Sequence, residues 1–322
     1  GGPLPEGAAA AAEAARFRAE PGRLLALPEA PRRALLGLGR APRRLECERA
    51  GVAAARAFGD TPHLLVDARG RGAAQAAALA SGLGLGAWRF DAHRTRQDAP
   101  RLARATLLVE DPAAAKAAFA PLEAALRGTL LARELVSEPA NHLTTRSFAK
   151  RLEALAEFGL HVDVLGRKRL TRAGFGALLA VGNAAETPPR LAVLRWRGSF
   201  DAPPVALIGK GIVFDTGGIS IKPAGGMAAM RADMAGAAAC AGAMLALALR
   251  RSPAPAVAVL PLAENAVGAE SYRPGDVLRT LSGRTVEVVD TDAEGRLVLA
   301  DALHHARQGF RPRAMVTMAT LT

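Results

Sequence analysis

Short apolar runs along this chain alternate with longer amphipathic stretches, a pattern that predicts strands alternating with helices. In the first 130 residues, His63–Ala68 and Thr106–Glu110 are expected strands, and Ala73–Ala80 between them is an expected helix. Residues 7–19, rich in Ala, Glu and Arg, also favour a helix. The order of strand, helix and strand is typical of α/β proteins.

A long helix is predicted next, because Pro112 can begin a helix and apolar residues then recur through Leu135. We interpret this helix as a link between two domains, and 322 residues are enough for two domains of ordinary size. The predicted division is an N-terminal α/β domain, residues 1–130, which ends in the linker helix, followed by a second domain, residues 131–322.

The second domain alternates in the same way. Its expected helices are Thr145–Phe158, Ala235–Leu249 and Leu297–Arg307, and its expected strands are Gly159–Leu165, Leu191–Trp196, Val205–Ile208, Ala256–Leu262 and Thr285–Val289. The last residues, 314–322, have the apolar and β-branched pattern of a buried strand. Together these elements predict an α/β fold with a mixed or mostly parallel sheet and helices on both faces.

Composition excludes some classes of protein. Half of the residues are apolar and 22% are charged, which excludes a mainly disordered chain. The two cysteines, Cys47 and Cys240, form no CxxC pair, which favours a reducing compartment. The apolar stretch at 235–249 is too short to cross a membrane, so no membrane span is predicted.

The net charge of +12 would permit binding to nucleic acid without requiring it. The 42 basic residues comprise 37 Arg and 5 Lys, and Arg is scattered apart from short runs at 40–44 and 167–172. Nucleic-acid sites concentrate basic residues on one face, and 4% aromatic residues offer few stacking platforms. A solvated, Arg-rich surface is therefore favoured, and DNA binding or regulation by the basic N-terminal domain remains an alternative.

Two of the five lysines, Lys210 and Lys222, lie among glycines and apolar residues directly after a predicted strand, with Asp215 between them. Loops at the ends of strands commonly build the sites of open α/β folds. An exposed ion pair would tolerate Arg, whereas a site that needs a compact amine able to lose its proton would not. This segment is therefore a candidate functional site.

Two other segments add acidic residues. Asp233 precedes a helix of small residues, where complementing the helix dipole is enough to explain it. Asp290, Asp292 and Glu294 crowd a turn before another helix, and such close carboxylates repel each other unless a cation lies between them. With Asp215, these segments would suit a pair of divalent metal ions.

These segments resemble motifs of the leucine aminopeptidase (cytosol aminopeptidase) family. With a further one at 272–276, four stretches match the family in order and spacing: IGKGIVFDTGGISIK at 208–222, MRADMAGAA at 230–238, YRPGD at 272–276 and DTDAEGRL at 290–297, where the family has NTDAEGRL. The resemblance is strong over about residues 131–322, and before that it is confined to a short piece at 87–91.

The resemblance implies a variable N-terminal α/β domain and a mixed-sheet α/β/α metallopeptidase domain. It implies a cytoplasmic homohexamer that removes N-terminal residues, with leucine-type preference, by means of water activated by two Zn²⁺ or Mn²⁺ ions per subunit. The tighter metal would be held by Lys210, Asp215, Asp233 and Glu294. The exchangeable metal would be held by Asp215, Asp292 and Glu294. Lys210 would bind as a neutral amine.

For catalysis, the resemblance implies that Lys222 stabilises the developing oxyanion. It also implies that Arg296 holds a bicarbonate ion, which acts as the proton shuttle. Met230, Thr320 and Leu321 would line the site for the first substrate residue. Peptides are therefore the expected partners.

Two features bear on whether this chain is active. Asp290 stands where the family usually has Asn, which adds a negative charge beside the metals. TLT at 320–322 matches the start of the family's TLTGA, so the chain is expected to be C-terminally truncated. We expect the whole protein to be an aminopeptidase and this piece by itself to be poorly folded or weakly active. An inactive homologue is a further alternative, against which the intact Lys222 and Arg296 argue.

Overall fold

The computed structural model describes residues 7–27, 31–96 and 101–321. The chain divides into two compact units, Gly1–Leu126 and Arg127–Thr322. The domain boundary predicted after residue 130 lies close to this division, and the assignment of a role to each domain stays a prediction.

Strands and helices alternate through the N-terminal unit. Its elements are α1 (Ala8–Ala14), β1 (Leu24–Leu27), β2 (Arg33–Leu36), α2 (Arg44–Ala57), β3 (His63–Asp67), α3 (Ala73–Ala87) and β4 (Arg104–Leu108), and α4 (Pro112–Ser137) runs on into the second unit. The predicted strand, helix and strand around α3 are confirmed. The hairpin of β1 and β2 and the helix α2 were not predicted, because their short or Ala-rich sequences show no clear period.

Helices α2 and α3 pack backbone against backbone. A Cβ atom added at Gly82 would lie 2.0 Å from the carbonyl oxygen of Glu48, and one at Gly51 would lie 2.3 Å from that of Leu79. Only glycine permits so close an approach. The two helices contact the parallel pair of β3 and β4 through small apolar clusters that include Ala50.

The second unit contains most of the helices and strands in the described residues. They are α5 (Thr145–Glu153), β5 (His161–Leu165), α6 (Arg167–Ala173), α7 (Gly176–Val181), β6 (Arg190–Trp196), β7 (Val205–Gly209), β8 (Gly211–Asp215), α8 (Ala235–Leu249), β9 (Ala256–Asn265), β10 (Val277–Arg279), β11 (Thr285–Glu287), α9 (Glu294–Phe310) and β12 (Ala314–Met318), with 3₁₀ helices at Ala154–Phe158, Met227–Ala232 and Thr291–Ala293. The predicted helix 145–158 therefore changes to 3₁₀ geometry at Ala154, before Gly159 with its positive φ of 87°.

A six-stranded mixed sheet organises this unit, in the order β12, β7, β9, β6, β5. Strand β8 continues the line of β7 and pairs with the carboxyl half of the long β9. The pairs β12 with β7, β7 with β9 and β8 with β9 are parallel, whereas β6 is antiparallel to both β9 and β5. The predicted mixed α/β fold is confirmed.

The side chains of β9 point alternately to the two faces of the sheet and are buried on both. Ala258 and Leu260 belong to the core cluster that contains residues of α5 and α8, whereas Val257 and Val259 belong to the cluster that contains residues of α7 and α9. Successive residues of a strand point to opposite faces, so an unbroken apolar run indicates cover on both sides. The expected helices on both faces are therefore present.

One segment of the described residues, Met227–Leu249, is long and apolar enough by composition to cross a membrane, but 61% of its most apolar window is buried. Helix α8, which forms most of it, packs its small residues in the core beside the sheet. Its Gly242 approaches Gly128 so closely that an added Cβ would lie 2.3 Å from the Gly128 carbonyl oxygen. This is the arrangement of a core helix.

Two predicted strands differ from expectation. Thr285–Val289 shortens to β11, which pairs with β10 in a separate two-stranded sheet rather than in the main one. The terminal strand exists as β12, but its burial was wrongly predicted, because Met315 is 42% exposed and Val316 is 48% exposed. Strand β12 pairs only with β7 and lies at the edge of the sheet as described, so its apolar side chains are covered less than those of a central strand.

Candidate metal centre

The predicted site residues converge at the carboxyl ends of neighbouring parallel strands. Lys210 follows β7, Asp215 ends β8 and Thr320 lies just after β12. Two helix starts face them, with Asp233 just before α8 and Glu294 as the first residue of α9. Since the carboxyl ends of parallel strands meet at one edge of a sheet, this edge is where open α/β folds place their sites.

A buried ion-pair cluster surrounds Lys210. Its Nζ lies 2.8 Å from Asp233 Oδ2 and 2.7 Å from Glu294 Oε1, and it donates a hydrogen bond of 2.9 Å to the Thr320 carbonyl oxygen. All three charged side chains are at most 7% exposed. The Thr320 hydroxyl donates a hydrogen bond of 2.6 Å to Asp233 Oδ1. The ammonium group therefore has three oxygen partners in a dry environment.

A second, more open cluster surrounds Lys222. Its Nζ lies 2.9 Å from Asp215 Oδ2 and is hydrogen-bonded to Asp292 Oδ1. The Lys222 side chain is 20% exposed and that of Asp292 is 33% exposed, whereas that of Asp215 is only 4% exposed. The site thus runs from a buried end at Lys210 to an open end at Lys222.

Burial and charge oppose each other at these groups. Burial lowers the pKa of Lys210, but the charge and hydrogen bonds of Glu294 and Asp233 outweigh it, so the net pKa is raised. The pKa of Lys222 is raised in the same way, because hydrogen bonds from its ammonium to Asp292 and Asp215 outweigh burial. Burial raises the pKa of Glu294 to about 7, even though Lys210 acts in the opposite direction.

The donor set fits a divalent metal. Asp215, Asp292 and Glu294 each offer a carboxylate oxygen, and these oxygens lie within 4.8 Å of one another. Glu294 Oε2 is buried without a hydrogen-bond partner. Counting Asp233, four carboxylates (−4) face two lysines (+2), so the ionised cluster carries −2. Oxygen ligands with a surplus of negative charge are what hard and borderline divalent cations bind.

The other predicted site residues lie near this cluster. Arg296 is exposed on the first turn of α9. Hydrogen bonds from the Asp292 backbone N–H and the Ser220 side chain lower the pKa of nearby Asp290, and the charges of Lys222 and Arg296 lower it further. Met230 is half-buried and lies in the 3₁₀ helix before Asp233. The backbone N–H of Asp233 donates a hydrogen bond to the Met230 carbonyl oxygen.

Leu321 is 50% exposed, and its Cδ2 lies 2.8 Å from the point where a Cβ on Gly295 would stand. No interaction of these residues with metal, bicarbonate or substrate is tested by the structure, so those roles stay predictions.

Three residues of the site escaped the sequence analysis. Asn265, at the end of β9, donates hydrogen bonds to Asp215 and to the carbonyl oxygen of Thr291. The hydroxyl of Tyr272 donates to the same carbonyl oxygen at 2.7 Å. Tyr272 and Thr291 lie within the quoted YRPGD and DTDAEGRL segments, whereas Asn265 stands alone at a strand end and gives no sequence signal.

The fold and the site together define an α/β domain with a metal-competent cluster of acids and lysines at the carboxyl edge of its sheet. The sequence profile described as "Cytosol aminopeptidase family, catalytic domain" matches residues 130–322. The chain therefore belongs to the cytosol aminopeptidase family.

Curated relatives and solved structures agree with this assignment. A probable cytosol aminopeptidase of Dinoroseobacter shibae is 46% identical over 288 residues, which are 89% of this chain and 58% of that protein. One of Methylorubrum extorquens is 41% identical over all of this chain and 68% of its own length. This chain thus spans between half and about two thirds of the length of such relatives.

Among solved structures, the Mn complex of the bottromycin maturation enzyme BotP is 38% identical, with a TM-score of 0.85, over 97% of this chain and 69% of that one. The cytosol aminopeptidase of Coxiella burnetii is 32% identical, with a TM-score of 0.82, over 99% of this chain and 67% of that one. These structures share the fold over both units of the chain.

Proposed function

We propose that the whole protein is a metal-dependent aminopeptidase that releases N-terminal residues, with leucine-type preference, from peptides. One observation carries the proposal: the acids and lysines that the family resemblance assigns to metal binding and catalysis form two neighbouring ion-paired clusters, whose carboxylates at Asp215, Asp292 and Glu294 come within 4.8 Å of one another. The names of the relatives support the activity, and the manganese in the BotP structure supports the metal dependence.

Two divalent ions, Zn²⁺ or Mn²⁺, are proposed for this cluster. Lys210, Asp215, Asp233 and Glu294 would hold the tighter ion, and Asp215, Asp292 and Glu294 the exchangeable one. The gradient of burial supports this division, because Lys210 and Asp233, assigned to the tighter ion alone, are 4% and 7% exposed, whereas Asp292, assigned to the exchangeable ion alone, is 33% exposed. When bound, the ions supply positive charge that polarises a substrate carbonyl and acidifies a water molecule. To bind a metal ion, Lys210 must first lose the proton that Glu294 and Asp233 now stabilise.

Lys222 is suited to face developing negative charge. Its raised pKa keeps it protonated at neutral pH, and its position at the open end of the cluster leaves it accessible to a substrate. A fixed cationic donor stabilises an oxyanion most where water is scarce. Arg296 would hold bicarbonate as the proton shuttle, and Met230, Thr320 and Leu321 would line the site for the first substrate residue.

The alternative of a DNA-binding N-terminal domain gains no support. In the arginine run at 40–44, Arg43 pairs with Glu46 at 2.9 Å and Arg44 with Glu48 at 3.3 Å. Arginines that are already paired with carboxylates attract phosphates less strongly than free ones. A solvated, ion-paired surface accounts for these residues.

We further propose a cytoplasmic location and a homohexamer. The location is supported by the relatives' name and by the two free cysteines, both of which are buried. The hexamer rests on the family resemblance alone, and analytical ultracentrifugation of the whole protein would test it.

Hydrolysis of a leucyl chromogenic amide by the whole protein tests the proposed activity. Chelation should abolish hydrolysis, and added Zn²⁺ or Mn²⁺ should restore it. The N-acetylated form of the same amide is the matched control, because an aminopeptidase requires a free α-amine. Failure of either metal to restore activity, or equal cleavage of both amides, would contradict the proposal.

Replacing Gly295 by alanine is predicted to reduce activity more than stability. The new methyl group would lie 2.9 Å from Lys210 Nζ and 2.8 Å from Leu321 Cδ2, so both side chains must move. Because these are the ends of flexible side chains, the free energy of unfolding should fall by only about 1 kcal/mol. Displacing Lys210 should lower kcat/KM by about 100-fold.

Gly309→Ala is the control within the same helix, because a Cβ there meets nothing within 4 Å. It should leave activity unchanged and stabilise the protein by about 0.5 kcal/mol. Thermal unfolding and leucyl amide kinetics measure both effects, and equal activity of the two variants would contradict the prediction.

A further inference from the structure

Asn265 connects the two loops that carry the acids. It is the last residue of β9, is fully buried and pairs in register with Asp215 of β8. Its Nδ2 donates one hydrogen bond of 2.8 Å to Asp215 Oδ1 and another of 3.0 Å to the Thr291 carbonyl oxygen. One amide group thus contacts the loop of Asp215 and the loop of Asp292 and Glu294.

The hydrogen bonds of Asp215 give its two carboxylate oxygens different roles. Oδ1 accepts from Asn265 Nδ2 and also from the backbone N–H of Gly217, at 2.9 Å. Oδ2 faces Lys222, at 2.9 Å. One oxygen is therefore bound to the protein, and the other is directed into the cluster.

Thr291 fixes the second loop to the first. Its hydroxyl donates to the Gly217 carbonyl oxygen at 2.6 Å and accepts from the Ser220 N–H at 2.8 Å. Its own carbonyl oxygen accepts from both Asn265 and Tyr272. Each loop is thus tied to the other by side chains that are not themselves metal-ligand candidates.

The hydrogen-bond acceptors around the side chain at position 265 favour asparagine. Both neighbours of Nδ2 are oxygen acceptors, so the side chain must present a donor there. Aspartate has the same shape but would place another carboxylate against Asp215, and like charges at that distance repel. Asn265 Oδ1 is buried without a hydrogen-bond partner, an unfavourable state that a position filled only for packing would avoid with an apolar residue.

We propose that Asn265 is a positioning residue, whose amide directs Asp215 Oδ2 into the cluster and fixes its spacing from Asp292 and Glu294. This inference rests on the proposed function, because it requires that the cluster binds two metal ions. It adds that Asn265, together with the Gly217 N–H, holds one oxygen of Asp215 to the protein, so that the oxygen now paired with Lys222 is the one presented to the metals. Tyr272 assists, because it anchors the Thr291 carbonyl oxygen from a second direction.

The test measures Mn²⁺ binding to the whole protein by chelator competition and by the electron paramagnetic resonance spectrum of the bound Mn²⁺. Asn265→Ala removes the donor, and Asn265→Asp keeps its shape while replacing the donor by an acceptor. Both should raise the apparent Kd for Mn²⁺ by about 10- to 100-fold and weaken the spin coupling between the two ions. The matched control is Asn183→Ala, since Asn183 Nδ2 donates to Glu270 on the surface, and it should bind Mn²⁺ as the parent does.

Each outcome decides the matter. Normal Mn²⁺ affinity and coupling in Asn265→Asp would overturn the positioning role, as would circular dichroism showing that both variants are unfolded, because the residue would then serve the fold alone. Wild-type protein that binds Mn²⁺ but cleaves no leucyl amide would refute the proposed function and leave the role of Asn265 intact. Wild-type protein that binds no Mn²⁺ would overturn both.

Discussion

Glu294→Ala is expected to abolish most of the aminopeptidase activity and to deplete the protein of metal. Glu294 is, with Asp215, one of the two proposed ligands that both ions share, and its Oε2 has no hydrogen-bond partner in the described structure. Removing it withdraws one negative charge and leaves Asp233 and the Thr320 carbonyl oxygen as the described partners of Lys210. Loss of several kcal/mol of charge stabilisation corresponds to a fall in kcat/KM of about 1,000-fold or more.

Metal content by elemental analysis and leucyl amide kinetics measure the two effects together. Glu287→Ala is the matched control, because Glu287 is an exposed residue of β11 and lies outside the cluster. It should retain its metal and its kcat/KM. A Glu294→Ala protein that keeps both ions and activity within tenfold of the parent would refute the proposed ligand role.

Asp301→Ala is expected to destabilise the second unit by about 3 kcal/mol. Asp301 is fully buried in α9, where its carboxylate accepts the Leu178 N–H at 3.0 Å and the Leu281 N–H at 2.7 Å. These bonds join α9 to α7 and to the segment after β10. Each donor left without a partner costs about 1–3 kcal/mol. For a unit of this size, the loss should lower the Tm by about 6–12 °C.

The desolvation of the Asp301 carboxylate acts against the stabilisation by its hydrogen bonds. Burial raises the pKa of Asp301 despite the backbone N–H groups that lower it, so the carboxylate carries a desolvation cost. If that cost exceeded the value of the bonds, alanine would leave the Tm unchanged or raise it. Thermal unfolding at pH 7 decides between the two. Asp201→Ala, at an exposed position between β6 and β7, is the control and should change stability by less than about 0.5 kcal/mol.

The pattern of apolar residues predicted those strands and helices that are buried along most of their length. Helix α8 has its predicted bounds, and β9 extends its predicted strand, because continuous apolar runs specify burial on both sides. Strand β8 was missed because Lys210 and the flanking glycines interrupt the apolar run after β7. The exposure of β12 was also missed, since an apolar run does not tell which strand lies at the edge of a sheet.

At the candidate site, the types of residue gave useful information, whereas the pairing register of the strands could not be derived from the sequence. The presence of Lys210 and Lys222 in a chain rich in arginine drew attention to a segment whose side chains do come together in the structure, and the crowded acids at 290–294 suggested that a cation lies between them. Asn265 could not be found in this way, because asparagine is common where a strand ends in a loop or turn, and a single one does not indicate a site. Only the pairing of β8 with β9 brings it to Asp215.

The hydrogen bond from Lys210 to the Thr320 carbonyl oxygen spans 110 residues of sequence. During synthesis from the N-terminus, a further 110 residues must therefore be made after Lys210 before its last partner is available. Contacts of such long sequence separation form late and slow folding. The Lys210 end of the centre is thus among the last parts of the described chain to be completed, because the hydrogen bonds of Thr320 to Lys210 and Asp233 can form only after β12 has docked beside β7.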